Sequence, residues 1–201
     1  MTAVGSTARL KIALDDVDPA VLRRLEVPLD LRLDRLHLVI QAAMGWTDTH
    51  LYEIRVGDVG WGIPDPDWGD GPLDARKASL LDVIEDTGTK TLRYLYDFGD
   101  GWEHSIRIER IDAADPKATY PRLLAAVGRC PPEDVGGPPG YEEFLAAIVD
   151  PDHERHAELR QWIGEDFDPH GVDAIGIAAA LLELARRWQR RSRAKKRPAS
   201  Q

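Results

Sequence analysis

Four polar residues crowd one short stretch, YDFGDGWEH (96–104): Asp97, Asp100, Glu103 and His104. Further on, CPPEDVGG (130–137) carries Glu133 and Asp134, followed by Gly136 and Gly137 with their free backbone amides. Carboxylates hold hard divalent cations, and an imidazole moves protons near neutral pH. If the second segment folds over the first, acids, one histidine and aromatic walls converge. That would suit metal-assisted hydrolysis. The candidate catalytic residues are Asp97, Glu103, His104, Glu133 and Asp134; the candidate metal ligands are Asp97, Asp100, Glu103 and His104. The competing reading is architectural. Proline, glycine and tryptophan dominate both segments, and these residues serve tight turns and packing.

Other motifs carry less. Asp97-Phe98-Gly99 matches a kinase tripeptide, but the kinase catalytic-loop and glycine-rich motifs are absent. Asp97, Asp100 and Glu103 lack the spacing of a calcium-binding EF-hand loop. His153 and His156, with Asp150, Asp152 and Glu154 nearby, can share a helix face and hold a cation. The same acids also suit a hydrated helix start, where they complement the dipole.

The elements that must position these residues begin with a hairpin. Leu92–Ile111 alternates on both sides of Gly99-Asp100-Gly101. A three-residue loop at 99–101 pairs Phe98 with Trp102, Asp97 with Glu103 and Tyr96 with His104. Leu92, Tyr94, Tyr96, Phe98, Trp102, His104, Ile106 and Ile108 then share one face. Asp97 and Glu103 would stand opposed, and like charges across a strand pair need relief from a cation, an arginine, a shared proton or water.

Before the hairpin, strands are expected at 9–14, 21–27, 51–56 and 59–63, with a helix at 33–46 and a helical turn at 80–84. Pro28 ends the second strand or places it at an edge. Residues 1–8 read as disordered, 64–78 as a surface loop and 112–138 as irregular. Helices follow at 140–149, 154–163 and 173–191. Segregated strands and helices indicate α+β: a mixed, mostly antiparallel sheet with one packed helix and a C-terminal helical region. A β-grasp-like arrangement is one candidate.

Composition narrows the function classes. The net charge is −9 over 201 residues. Eight of the 26 basic residues lie in one segment: Arg186, Arg187, Arg190, Arg191, Arg193, Lys195, Lys196 and Arg197. The remainder holds 18 basic against 35 acidic residues, a net −17, which argues against a duplex-binding surface on the body. The basic end can contact nucleic acid or another anion, or be a solvated helix end. The expected division is therefore 9–185 as one domain and 186–201 as its basic helix end and tail. No run is long enough to span a bilayer, and no apolar leader opens the chain. One cysteine, Cys130, excludes an internal disulfide. A cytoplasmic setting without membrane contact is the expectation.

The combination of YDFGDGWEH (96–104) with CPPEDVGGPPGYEEFL (130–145) resembles the plasmid pRiA4b ORF-3-like proteins, the MM3350-like structural superfamily. RRLEVPLDLRLDRLHLVIQAAMGWTDTHLYEI (23–54) and DPDHERHAELRQWIGEDFDP (150–169) extend the likeness over nearly the whole chain. The resemblance implies an α+β domain of this size and no particular chemistry. Some relatives carry the label of an insertion-element passenger, TnpR, yet the setting of a serine recombinase is missing here. It also implies a soft metal site in relatives with cysteines where this chain has Leu123 and Val135; only Cys130 remains. The leading expectation is a non-enzymatic binding or accessory module of a mobile element, acting on a protein or, through the basic tail, on nucleic acid. No cofactor is expected. A metal-dependent hydrolase using the hairpin-tip carboxylates and histidine, with a divalent ion, is the alternative.

Overall fold

Alternation of apolar and polar residues organises the strands, and in three dimensions it separates a buried face from a wet one. The structure, a computed structural model, describes residues 5–65, 71–164 and 166–195. In chain order the elements are β1 (Ser6–Leu14), β2 (Val21–Pro28), α1 (Leu33–Met44), β3 (Tyr52–Val56), β4 (Val59–Gly62), β5 (Leu73–Asp74) and α2 (Leu80–Thr87). These are followed by β6 (Thr91–Tyr96), β7 (Trp102–Ala113), β8 (Arg122–Val127), α3 (Gly137–Val149), α4 (His156–Ile163) and α5 (Ala174–Lys195). The strands form one open eight-stranded sheet in the order β5-β4-β3-β6-β7-β1-β2-β8. Every pair is antiparallel except the short β4–β5 edge. The α+β class with a mostly antiparallel sheet is as expected. The β-grasp candidate is not matched, because it would need a parallel pair at the sheet centre, where β7, β1 and β2 run antiparallel.

One sheet face is the core. Leu10, Ile12, Leu25, Ile54, Tyr94, Tyr96 and Ile106 on that face are fully buried. Leu33, Leu36, Ile40 and Ala43 of α1, at helical spacing, are buried in the same core. Gly45 ends α1 in the left-handed region (φ 86), its N–H donating to Gln41 O at 2.9 Å. The other face is wet and carries ion pairs such as Arg24–Glu109 at 3.0 Å and Arg93–Asp15 at 2.8 Å.

Four expectations are corrected. The hairpin register is displaced by two residues: Tyr96 faces Trp102, Tyr94 faces His104 and Leu95 faces Glu103. Asp97 causes this. It takes a left-handed conformation (φ 55), and its Oδ1 accepts from Gly99 N at 2.9 Å, so β6 stops at Tyr96 and residues 97–101 form the loop. A shift of two preserves face parity, so the buried set survives except Phe98, which is 54% exposed. The Asp97–Glu103 opposition does not form. Second, β8 lies in a stretch expected to be irregular. RLLAAV has no period-two polarity, and it pairs along β2, which is therefore interior, with Pro28 as its last residue. Third, β1 starts at Ser6, inside the segment expected to be disordered; residues 1–4 lie outside the described residues. Fourth, β5 lies within the 64–78 loop, of which residues 66–70 are outside the described residues.

α5 runs unbroken through the expected boundary at 186. Trp188 is buried, and the Arg35 guanidinium of α1 sits 5.0 Å from its ring centroid. Trp188→Ala should therefore lower stability by about 3 kcal/mol in urea unfolding. An unchanged midpoint would mean that α5 beyond residue 185 does not contribute to the fold.

Candidate functional site

Three segments meet at the hairpin tip: residues 46–50 after α1, the 97–101 loop, and 130–137 before α3. Trp46 is the hinge pin of this junction. Its ring stacks on Tyr96 (5.0 Å), leans on Trp102 (5.8 Å) and meets His104 edge-on (5.4 Å). Its Nε1 donates to Pro131 O at 3.0 Å, which ties the third segment to the first. Glu133 completes the tie. It accepts from Thr47 N (2.9 Å), Thr47 Oγ1 (2.5 Å), Tyr96 OH (2.6 Å) and Thr49 Oγ1 (3.4 Å). Asp100 Oδ2 accepts from Gly136 N at 3.1 Å. Gly137 (φ +70) packs so closely that a Cβ there would lie 2.1 Å from Asp100 O.

Behind the junction lies a closed ring of hydrogen bonds. Asp48 N donates to Gln41 Oε1 (3.0 Å), and Gln41 Nε2 donates to Tyr94 OH (2.9 Å). Tyr94 OH and His37 Nδ1 are 2.8 Å apart, and His37 Nε2 and Asp48 Oδ1 are 2.6 Å apart. The chemistry assigns the protons: His37 Nε2–H donates to the Asp48 carboxylate, and Tyr94 O–H donates to Nδ1. Burial pushes the His37 pKa down against the opposing pull of Asp48, in keeping with this neutral form. His37 also stacks on Tyr52 with ring centroids 3.6 Å apart.

The ring places Asp48, and the next residues bring His50 to the tip, half-buried. Its Nδ1 lies 3.5 Å from Asp97 Oδ2. Its Nε2 lies 3.0 Å from Asp134 Oδ1, but out of line for a hydrogen bond. One donor atom from each of His50, Asp97 and Asp134 falls within 4.8 Å of the others. That is a spacing a single divalent cation can span. Asp48, Asp97 and Asp134 are three of the four non-glycine residues with positive φ among the described residues. Such conformations cost free energy and persist only where the surroundings enforce them. Leu51 and Phe98, the sequence neighbours of His50 and Asp97, are both more than half exposed.

The expected site is thus only partly assembled. Asp97, Asp100, Glu133 and Asp134 do come together, because the 130–137 segment folds over the tip. Glu103 does not join them: it projects from the wet face, 4.0 Å from Arg93 Nη1. His104 is fully buried, and its Nδ1–H donates to the carbonyls of Tyr94 (3.2 Å) and Trp102 (3.1 Å). Both are therefore corrected as cluster members. Strand alternation put Glu103 on the opposite face and His104 inside. The histidine of the cluster is His50, which the sequence reading missed. It sits in a short connection with no periodicity; its one signal is TDTH between a helix-ending glycine and a strand.

The remaining candidates are accounted for. His153 Nδ1 accepts from Arg155 N, and His156 Nδ1–H donates to Ala147 O, so both serve the α3–α4 connection. Cys130 is buried, which pushes its thiol pKa far up and keeps it neutral. Arg186, Arg187 and Arg190 are exposed on α5; Arg191, Arg193 and Lys195 continue its backbone, while Lys196 and Arg197 lie outside the described residues. Among the described residues no helix is long and apolar enough to cross a membrane.

Residues 6–175 match the model of the family described as plasmid pRiA4b ORF-3-like protein. The chain is 56% identical to the uncharacterized protein y4hQ of Sinorhizobium fredii (strain NBRC 101917 / NGR234), over 96% of this chain and 99% of that one. It is also similar to the crystal structure of MM3350 from Methanosarcina mazei Go1, a protein of unknown function. That likeness has a TM-score of 0.77 and 34% identity, over 85% of this chain and 96% of the other. The chain belongs to the plasmid pRiA4b ORF-3-like family.

Two outcomes follow from the junction. Gly137→Ala should cost more than about 2 kcal/mol, since the added Cβ meets a backbone oxygen at a left-handed position; a parental melting temperature would show that the tip contact is slack. His104 gives the second. Burial lowers its pKa from 6.5 to about 4, so between those values the unfolded chain binds the extra proton and stability falls as pH drops. Urea unfolding at pH 7 and 4.5 should show a loss larger by about 2–3 kcal/mol in the parent than in His104→Asn. Equal losses would show that His104 is not held neutral.

Proposed function

We propose that this member of the plasmid pRiA4b ORF-3-like family is a cation-dependent binding module, acting as a cytoplasmic accessory protein of mobile elements. His50, Asp97 and Asp134 hold the ion. The observation that carries the reading is the donor set itself: one imidazole and two carboxylates, from three separate segments, within reach of one ion. An imidazole with carboxylates suits Mn²⁺ or Zn²⁺. Three protein donors leave coordination positions toward solvent, where a carboxylate or carbonyl oxygen of a partner protein can complete the shell.

Binding is favoured over catalysis because the nearby bases are already occupied. Glu133 is committed to Thr47, Thr49 and Tyr96, Asp100 to Gly136, and His104 lies in the core. A hydrolase would need a base free to take a proton from water. The hydrolase reading keeps one supporting observation, the open positions of the same donor set. Nucleic acid contact through Arg186, Arg187, Arg190 and the residues beyond is the secondary binding mode. It predicts a steep salt dependence.

Calorimetric titration with Mn²⁺ and Zn²⁺ tests the site. The parent should bind one equivalent. Asp97→Asn and Asp134→Asn, which keep a residue type tolerant of positive φ, should bind at least tenfold more weakly with unchanged circular dichroism. No saturable binding, or binding unaffected by both substitutions, would sink the proposal. Metal-dependent turnover of p-nitrophenyl phosphoesters, lost in the same variants, would replace binding with hydrolysis.

A further inference from the structure

Beside Trp46, and lined by Glu133 as well, lies a cleft of about 460 Å³. This is within the size range of small-ligand sites, roughly 300–1,000 Å³. It opens between the end of α1, the 129–133 segment and the chain leading into α5. Its walls are polar and apolar in nearly equal measure, with Met44, Trp46, Ile163, Phe167, Val172 and Ile177 forming the apolar part.

Arg23 of β2 also lines this cleft, and it is 1% exposed. A buried guanidinium ordinarily faces a carboxylate. Arg23 does not. Its Nε donates to Ala43 O (2.8 Å) and its Nη1 to Leu22 O (2.9 Å) and Val127 O (2.7 Å). Three carbonyls orient the group without neutralising it. Among the described residues no carboxylate forms an ion pair with it, and its hydrogen bonds run from Nε and Nη1 to carbonyls alone. Cys130, beside it, is a neutral thiol. A fixed, desolvated cation beside a cleft with an apolar wall is a site for an anion that carries an apolar body.

The other charges on the cleft set the valence of that anion. Arg129 lines it too, its guanidinium 4.4 Å from the Phe167 ring centroid. Glu133 and Asp173 line it as well, each already holding hydrogen bonds: Glu133 as described, Asp173 from Gly176 N at 2.8 Å. Two cations against two acids make the lining neutral overall, so the anion is held by the unpaired Arg23 and not by a net positive field, and a second negative charge would add only repulsion from the two acids. We infer that the cleft binds a small organic monoanion, a carboxylate with an apolar body, its head at Arg23 and Arg129 and its body along Ile163, Phe167, Val172 and Ile177. This site is separate from the cation cluster at the tip and does not depend on it.

Calorimetry on the full chain with octanoate and, in parallel, inorganic phosphate tests the inference. Octanoate should saturate one site. Arg23→Gln should weaken it at least tenfold, and Arg129→Gln severalfold. Val172→Trp, which narrows the cleft while leaving both arginines, should abolish binding, and it keeps the test decisive if Arg23→Gln fails to fold. Phosphate binding in place of octanoate would overturn the carboxylate assignment. No octanoate binding, or octanoate binding indifferent to Arg129→Gln and Val172→Trp, would overturn the site.

Discussion

The hydrogen-bond ring of His37, Tyr94, Gln41 and Asp48 is the constraint on which the rest of the tip depends. Three of its four side chains belong to buried residues of α1 and β6, where an open valence would cost about 1–3 kcal/mol. Each group has one arrangement of protons that satisfies the whole circuit, so the helix, the central hairpin and the 46–50 connection are fixed relative to one another. The neutral state of His37 belongs to this arrangement. A charged imidazole would have no lone pair for Tyr94, and burial already disfavours it. The conformation of Asp48, unfavourable by itself, is held by the same bonds.

A second layer builds on this circuit. Trp46 leaves the end of α1 in a direction set by Gly45, lies against Tyr96 and Trp102, and reaches Pro131 with its indole nitrogen. Glu133 then gathers Thr47, Thr49 and Tyr96. The tip is therefore polar at its surface and aromatic beneath. Its surface carboxylates rest on a floor that cannot shift without breaking aromatic packing. Trp46 and Glu133 also line the Arg23 cleft, so the same two residues border both the cleft and the tip.

Much of this was legible in the sequence, in proportion to how local the signals were. Alternation in β1, β6 and β7, and the 3.6-residue spacing in α1, specified which side chains go inside. Even the misjudged hairpin loop left the buried set nearly intact. Register was harder, because it turned on one side chain, Asp97, folding back on its own backbone. β8 was missed because a strand of leucine and alanine shows no polarity pattern, and only its pairing with β2 defines it. The meeting of the 130–137 segment with the tip was anticipated from composition, but the identity of its histidine was not. His50 and Asp97 are brought together by the β3–β6 pairing, a long-range contact that no local pattern encodes.

The clamp made by Glu133 joins residues 84 and 86 positions apart in the chain. Closing such a loop is slow relative to local structure, and it comes after the elements between have found their places. During synthesis the N-terminal strands, α1 and the hairpin exist before the segment that covers the tip has been made. The cluster of His50, Asp97 and Asp134 is therefore complete only in a chain whose three segments have all been brought together, which makes its geometry a property of the finished fold and of no single segment.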